Sequence, residues 1–110
     1  MTVAPEPIAV MMTAASGEEA TRIAEMLVNQ TLAACVQIFP EMQSVYVWKG
    51  EVQREREVLI IAKSTRANFE KLERKVREMH SYETPEIVAL PITLVSQPYF
   101  EWLVSSCEAS

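Results

Sequence analysis

The stretch from His80 to Glu86, HSYETPE, holds the residues whose types are best suited to binding chemistry. His80 is the only histidine of the chain, and an imidazole can serve as a metal ligand or as an acid or base near neutral pH. Tyr82, Glu83 and Glu86 add a phenol and two carboxylates to the same stretch. These side chains predict a binding site where a charged helix ends and a buried strand begins.

The two cysteines, Cys35 and Cys107, are a second group of candidate ligands. They lie far apart and form no CxxC motif, whereas secreted disulfide scaffolds use dense, patterned cysteines, so a reducing compartment is favoured. Cys35 lies in the apolar run LAACV, where a thiol serves either as a small buried side chain or as a metal ligand. The first residues, MTVAPEPIAV, lack the basic segment of a signal peptide, so we expect a cytoplasmic location.

The composition argues against several classes of function. A net charge of −5 disfavours nucleic acid as a partner, because binding a phosphate backbone requires a basic surface. Two glycines leave no glycine-rich phosphate loop, and no apolar run approaches the roughly 18 residues of a membrane span. Glu83 and Glu86 could exchange protons, but no nucleophile motif accompanies His80, so the sequence predicts neither an enzyme nor a required cofactor.

Apolar periodicity predicts the order strand, helix, strand, strand, helix, strand, helix. Ser16 and Glu19 have capping-box spacing, Lys49-Gly50 suits a two-residue turn, and Pro98 suits the first turn of the last helix. The predicted strands are Ile8–Thr13, Leu32–Phe39 resuming at Val45 after a break or bulge at Pro40, Glu51–Ser64, and Ile87–Leu94 with Pro91 at an edge or bulge. The predicted buried stripes are Ala20, Ile23, Ala24, Leu27 and Val28 in the first helix, and Phe69, Leu72, Val76 and Met79 in the second helix, which Thr65 caps and which spans Arg66–Met79.

This order is the split βαβ pattern of an α+β ferredoxin-like sandwich, with helices on one face of an antiparallel sheet. One domain is expected to span residues 1–110, with residues 1–7 loose. The strands on either side of Lys49-Gly50 are long for such a domain. Each arm could run ~14 residues, or ~45 Å at ~3.3 Å per residue, whereas the domain's radius of gyration should be only ~13 Å.

The hairpin is therefore expected to project beyond its own subunit and to expose Tyr46, Trp48 and Val52 near its tip. Because a free two-stranded ribbon is only marginally stable in water, a second subunit is expected to cover it, which predicts an obligate oligomer. The alternative is that Pro40 ends the strand and that a charged loop follows.

Six segments in this order resemble the CutA family, the divalent-cation tolerance proteins. The segments are LAACV at 32–36, YVWKG at 46–50, KST at 63–65, HSYETPEI at 80–87, ALP at 89–91 and YFEWL at 99–103. The resemblance covers nearly the whole chain. It implies a ferredoxin-like subunit with a long hairpin and an extra C-terminal helix, assembled as a homotrimer, and it implies a cytoplasmic role in tolerance of divalent metals, copper especially.

The resemblance also implies a set of metal ligands. Family members linked to copper carry a cysteine at the end of the first strand and a His-His pair at the end of the second helix; here those places hold Met12 and Met79-His80. Thioethers, imidazole and the thiolate of Cys35 are ligands for copper(I), so His80, Cys35, Met12 and Met79 are the candidate metal set. Methionine within a buried stripe is more often core filling, so weak copper binding is expected.

Two other functions stay open. Trimers of ferredoxin-like subunits such as the PII signalling proteins bind effectors between subunits, and by analogy a cleft near Tyr82, Glu83, Glu86 and Trp102 could hold a cationic or polyhydroxy molecule. Alternatively, the trimer is an interaction scaffold that uses its projecting hairpins. The same four residues could instead serve only packing and trimer contact.

Overall fold

The computed structural model describes residues 4–108, and within them the predicted order of strands and helices is confirmed. Of the residues expected to be loose, 1–3 lie outside the described residues, while Pro7 is already the first residue of a strand. The elements are β1 Pro7–Ala14, α1 Gly17–Asn29, β2 Cys35–Trp48, β3 Glu51–Thr65, a 3₁₀ turn Arg66–Asn68, α2 Phe69–Met79, β4 Ile87–Pro91 and α3 Gln97–Ser106.

The four strands form one antiparallel sheet in the order β2-β3-β1-β4. In this register Met12 of β1 lies between Ile60 of β3 and Ile87 of β4. β4 is an edge strand, which is where a proline is tolerated, and it ends at Pro91, three residues earlier than predicted. The fold is thus an α+β arrangement of four antiparallel strands and three helices.

The core lies between one face of this sheet and the helices α1 and α2. Val10 and Met12 of β1 are fully buried on this face because strand side chains alternate between faces. The predicted burial is wrong for two residues of the helix stripes. Val28 and Met79 are both exposed, because each lies in the last turn of its helix, at the edge of the stripe and beyond the sheet it packs on.

The connection from α1 to β2 differs from the prediction. Leu32 and Ala33 are buried but precede the strand; their N–H groups both donate to the carbonyl of Leu27, at 2.9 and 3.3 Å, and so close the end of α1. Thr31 has a φ of 55°, which turns the chain away from the helix. The strand therefore begins at Cys35.

Of the break or bulge predicted at Pro40, the structure has the bulge, a register shift inside a continuous strand. β2 runs through Pro40 to Trp48, and its pairing with β3 is irregular only between Phe39 and Met42. Lys49 and Gly50 form the expected two-residue turn, with φ angles of 52° and 82°. The described residues extend over 49 × 26 × 25 Å, so the hairpin of 14- and 15-residue strands reaches well past the rest of the fold.

Of the two predicted helix caps, the one at Ser16 is confirmed and the one at Thr65 is wrong. Ser16 Oγ accepts from the Glu19 N–H at 3.2 Å, as the capping-box spacing predicts. Thr65 makes no side-chain capping bond, because three residues of 3₁₀ turn intervene before α2. Among residues 4–108, no helix has both the length and the apolar character needed to cross a membrane.

Candidate functional site

His80 lies directly after α2, where an extended backbone turns the chain out of the helix. Its side chain is fully buried, and both ring nitrogens are engaged. Nδ1 accepts from the Tyr82 backbone N–H at 3.0 Å, so it carries no proton, and Nε2 therefore donates to the carbonyl of Thr13 at 2.7 Å. His80 is thus a neutral imidazole that fastens the loop after α2 to the end of β1.

Glu19 fastens the same loop from the other side. Its carboxylate, buried in the first turn of α1, accepts from the Ala15 N–H at 3.1 Å, the Ser81 N–H at 2.8 Å and the Ser81 hydroxyl at 3.1 Å. Burial acts to raise the pKa of Glu19, but the hydrogen bonds from Ala15 and Ser81 outweigh it, so the pKa is lowered. The loop is held in place by a charged group that α1 supplies.

Tyr82 connects this loop to the hairpin. Its hydroxyl donates to Glu57 Oε2 on β3 at 2.7 Å, and its ring lies 4.8 Å from the His80 ring. Burial first, and then the hydrogen bond to Glu57, raise the pKa of Tyr82 well above its ordinary value. Tyr82 therefore remains a hydrogen-bond donor throughout the physiological pH range.

The register of the hairpin places aromatic and acidic residues on one face of the ribbon. Tyr46 pairs with Gln53, and Glu55 and Glu57 follow at two-residue steps on the same strand, so all of them point to the same side. Trp48, two residues from Tyr46, shares that side. The opposite side carries Val45, Val47, Val52, Arg54 and Arg56.

These parts enclose an open cleft of about 550 Å³ that runs along one side of the hairpin, from Trp48 beside the turn to Glu57, and is closed by the end of β1 and the loop after α2. We call it the hairpin cleft. Its lining includes three aromatic rings, four carboxylates and one guanidinium. The lining residues are Thr13, Ala15, Tyr46, Trp48, Glu55, Arg56, Glu57, Tyr82, Glu83, Thr84 and Glu86.

Three of the four residues predicted for a ligand cleft, Tyr82, Glu83 and Glu86, therefore lie together in the hairpin cleft. The fourth, Trp102, is not part of its lining within a subunit. Trp102 is on α3, where its ring lies 5.5 Å from that of Tyr99.

The candidate metal set does not come together within a subunit. Cys35 pairs with Lys63, which in turn pairs with Ala9, while His80 binds the carbonyl of Thr13. On β1, Ala9 and Thr13 are four residues apart, or ~13 Å at ~3.3 Å per residue. Cys35 lies on β2, a further two strands across the sheet from β1. Cys35 and His80 thus lie at opposite ends of the sheet.

The remaining members of that set do not complete a site. Met12 is fully buried in the core, and Met79 is 37% exposed beside His80, whose ring nitrogens are both occupied. Within the described part of the chain, no three histidine, cysteine or acidic side chains are grouped so that they could hold a metal ion. The ligand types suit copper(I), but their geometry in one subunit does not.

Cys35 and Cys107 are both free thiols. Burial first, and then the nearby Cys35 sulfur, raise the pKa of Tyr99 on α3. Burial also raises the pKa of Cys107 despite hydrogen bonds from Ser64 and Ala34, so this thiol stays protonated and unreactive near neutral pH.

Sequence reasoning missed the hairpin's contribution to the cleft, namely Tyr46, Trp48, Glu55 and Glu57. A signal for it was present: once Lys49-Gly50 is assigned as a two-residue turn, the pairing of Trp48 with Glu51 and of Tyr46 with Gln53 follows directly. No comparable signal marks Glu19, because its partner Ser81 lies 62 residues away along the chain.

The comparisons with known proteins agree with one another. A sequence profile described as CutA1 divalent ion tolerance protein matches residues 8–106. The divalent-cation tolerance protein CutA of Thermus thermophilus is 46% identical over 94 residues, which cover 86% of this chain and 91% of that protein. The chloroplastic protein CutA of Arabidopsis thaliana is 42% identical over 99 residues, covering 90% of this chain but only 54% of that longer protein. A solved structure of the Thermus thermophilus protein superposes with a TM-score of 0.91 at 42% identity, covering 93% of this chain and 99% of that one.

Proposed function

This chain belongs to the CutA1 divalent ion tolerance family, and we propose that it acts in divalent-cation tolerance as a trimeric ligand-binding protein of the cytoplasm. In this proposal it binds an effector in the hairpin cleft and is not an enzyme. The observation that carries the proposal is the cleft itself, where a held loop and a projecting hairpin bring aromatic and acidic side chains together.

The loop that lines the cleft is fixed before any ligand arrives. His80, Glu19 and Tyr82 tie it to β1, α1 and β3 through hydrogen bonds of 2.7–3.1 Å. A preorganised site loses less conformational entropy on binding than a mobile loop does. The cleft volume of about 550 Å³ is within the range of small-molecule sites.

The trimer is supported by a second apolar face of the sheet. Alternation places Val88 and Leu90 of β4 opposite Met11 and Ala9, on the side away from α1 and α2, and both are 48% exposed. Apolar side chains exposed this way on a sheet face favour burial against another subunit. The strand order β2-β3-β1-β4 supports the ferredoxin-like assignment, the fold for which PII-like intersubunit sites offer an analogy.

A cytoplasmic location is supported by the free thiols of Cys35 and Cys107, which suit a reducing compartment. The proposal that the protein is not an enzyme is supported by His80, whose imidazole is fully used in structural hydrogen bonds and so has no free nitrogen for proton transfer.

Weak copper(I) binding is a second candidate, favoured by one observation: the exposed Met79 thioether at the same end of the sheet as the buried Met12. In a trimer, three copies of Cys35 could also contribute ligands between subunits. Calorimetric titration of the reduced protein with copper(I), copper(II) and zinc, repeated with Met79→Leu, His80→Ala and Cys35→Ser, tests this candidate. Binding by copper(I) that Met79→Leu abolishes would support it, and millimolar or absent binding by the wild type would remove it.

The main proposal is tested by a thermal-shift screen of the wild-type trimer against metabolites. Ligands that stabilise the wild type should lose their effect on Trp48→Leu, because Trp48 lines the hairpin cleft. Trp102→Leu is the matched control, since it removes an exposed indole outside the cleft. A ligand whose effect depends on Trp102 but not on Trp48 would place the site elsewhere.

A further inference from the structure

We propose that the hairpin cleft is selective for an organic ammonium ion, a cation that carries apolar groups around its charge. This inference rests on the proposed function of the cleft as a ligand site and specifies the chemistry of its occupant.

The charge preference comes from Glu57 at the floor of the cleft. This side chain belongs to a residue only 5% exposed, and within residues 4–108 no lysine, arginine or histidine forms an ion pair with it. A carboxylate removed from water needs compensation by a cation or by several hydrogen bonds. Tyr82 supplies one hydrogen bond to Oε2, which leaves capacity on the carboxylate for a cationic donor.

The rim of the cleft adds further negative charge to that of Glu57. Glu55, Glu83 and Glu86 also line it, so with Glu57 the lining carries four negative charges, and Arg56 adds one positive charge, a sum of −3. The Arg56 guanidinium is directed to Glu41, at 3.0 Å, and its side chain is largely exposed to solvent, which leaves the carboxylates of the cleft uncompensated.

The aromatic rings give the preference for an organic rather than a bare cation. Tyr46, Trp48 and Tyr82 line the same cleft as Glu57. Aromatic faces attract weakly hydrated cations such as alkylammonium groups, and indole is the strongest of these rings. A small hydrated metal ion instead requires three or more converging ligands, a grouping that is absent from the part of the chain the structure describes.

Choline and its neutral isostere 3,3-dimethyl-1-butanol provide the test, because they share a shape and differ in charge. Calorimetric titration of the wild-type trimer should detect binding of choline and no binding of the alcohol. Glu57→Gln keeps an acceptor for Tyr82 and so keeps the fold, yet it should weaken choline binding by roughly 10- to 100-fold, the effect of losing one charge-assisted contact. Glu25→Gln, on the exposed face of α1, is the matched control and should leave the affinity unchanged.

The possible results separate this inference from the proposed function beneath it. Equal binding of both probes, or choline binding that survives Glu57→Gln, would overturn the preference for ammonium ions. If choline fails but a neutral or anionic metabolite binds in a way that depends on Trp48, the class of ligand is wrong while the hairpin cleft remains the site. If no compound of any charge binds in that way, both proposals are overturned.

Discussion

At the level of single residues, Glu19 has two structural roles that its position in a capping box only partly predicts. The Ser16 half of the box forms, but the Glu19 carboxylate turns to Ala15 and Ser81 rather than to Ser16. A sequence can predict the capping interaction because it depends on residues three apart. It cannot predict the contact with Ser81, which exists only after α2 has packed beside α1 on the sheet.

Replacing Glu19 with glutamine should destabilise the fold by about 1–3 kcal/mol at pH 7, since the amide is a weaker acceptor for donors that remain buried. The pKa of Glu19 is lowered in the folded state, so its contribution is complete above the ordinary carboxyl value of 4.5 and is lost as the pH falls through the lower folded value. Denaturant unfolding from pH 7 to pH 3 checks this.

The wild type should lose stability below about pH 4.5 more steeply than Glu19→Gln does. Glu25→Gln, which changes an exposed carboxylate on the same helix, should retain the wild-type pH profile. Parallel acid profiles for wild type and Glu19→Gln would show that Glu19 does not carry the effect.

At the level of elements, the hairpin is the part whose shape the sequence predicted best, although its contribution to the cleft was missed. Its turn at Lys49-Gly50, its length and its projection are confirmed. The pairing of Tyr46, Trp48, Glu55 and Glu57 on one side followed from that turn. What the sequence left open was that the loop bearing Tyr82 would lie against this side, because that depends on where α2 ends in three dimensions.

Gly50→Ala should destabilise the protein by about 1 kcal/mol, because the glycine has a φ of 82° that an alanine adopts only with strain. Apart from Gly50 itself and its two chain neighbours, no residue has an atom within 4 Å of the added methyl group, so the loss of stability reports backbone strain alone. Gly17→Ala is the matched control: it also meets no neighbour, and at the start of α1 it should be neutral or stabilising by a few tenths of a kcal/mol. Equal losses of stability in both variants would contradict the predicted left-handed turn.

At the level of the whole molecule, the face of the sheet away from α1 and α2 and the projecting hairpin argue for one assembly. The sequence predicted an oligomer from the hairpin length alone, and the register adds an apolar face centred on Val88 and Leu90. The sequence could not locate that face, because β4 is an edge strand whose short run is apolar on both sides. The proposed trimer would bury both of these surfaces.

Leu90→Glu should dissociate the proposed trimer, because it places a charge on the apolar face proposed as its interface. Sedimentation velocity measures the outcome: the wild type should sediment as a trimer at micromolar concentration and the variant as smaller species. Val28→Glu, which adds the same charge to an equally exposed apolar position on α1, should remain trimeric. A monomeric wild type would contradict the assembly.

The central claim is that ligands bind in the hairpin cleft and not at the metal set implied by the family. Hydrogen–deuterium exchange of the wild-type protein, with and without the strongest ligand from the thermal-shift screen, tests it directly. We expect slower exchange in residues 45–57 and 81–86, the hairpin and the loop that line the cleft. Protection confined to residues 33–37 and 99–107, around Cys35 and α3, would contradict it.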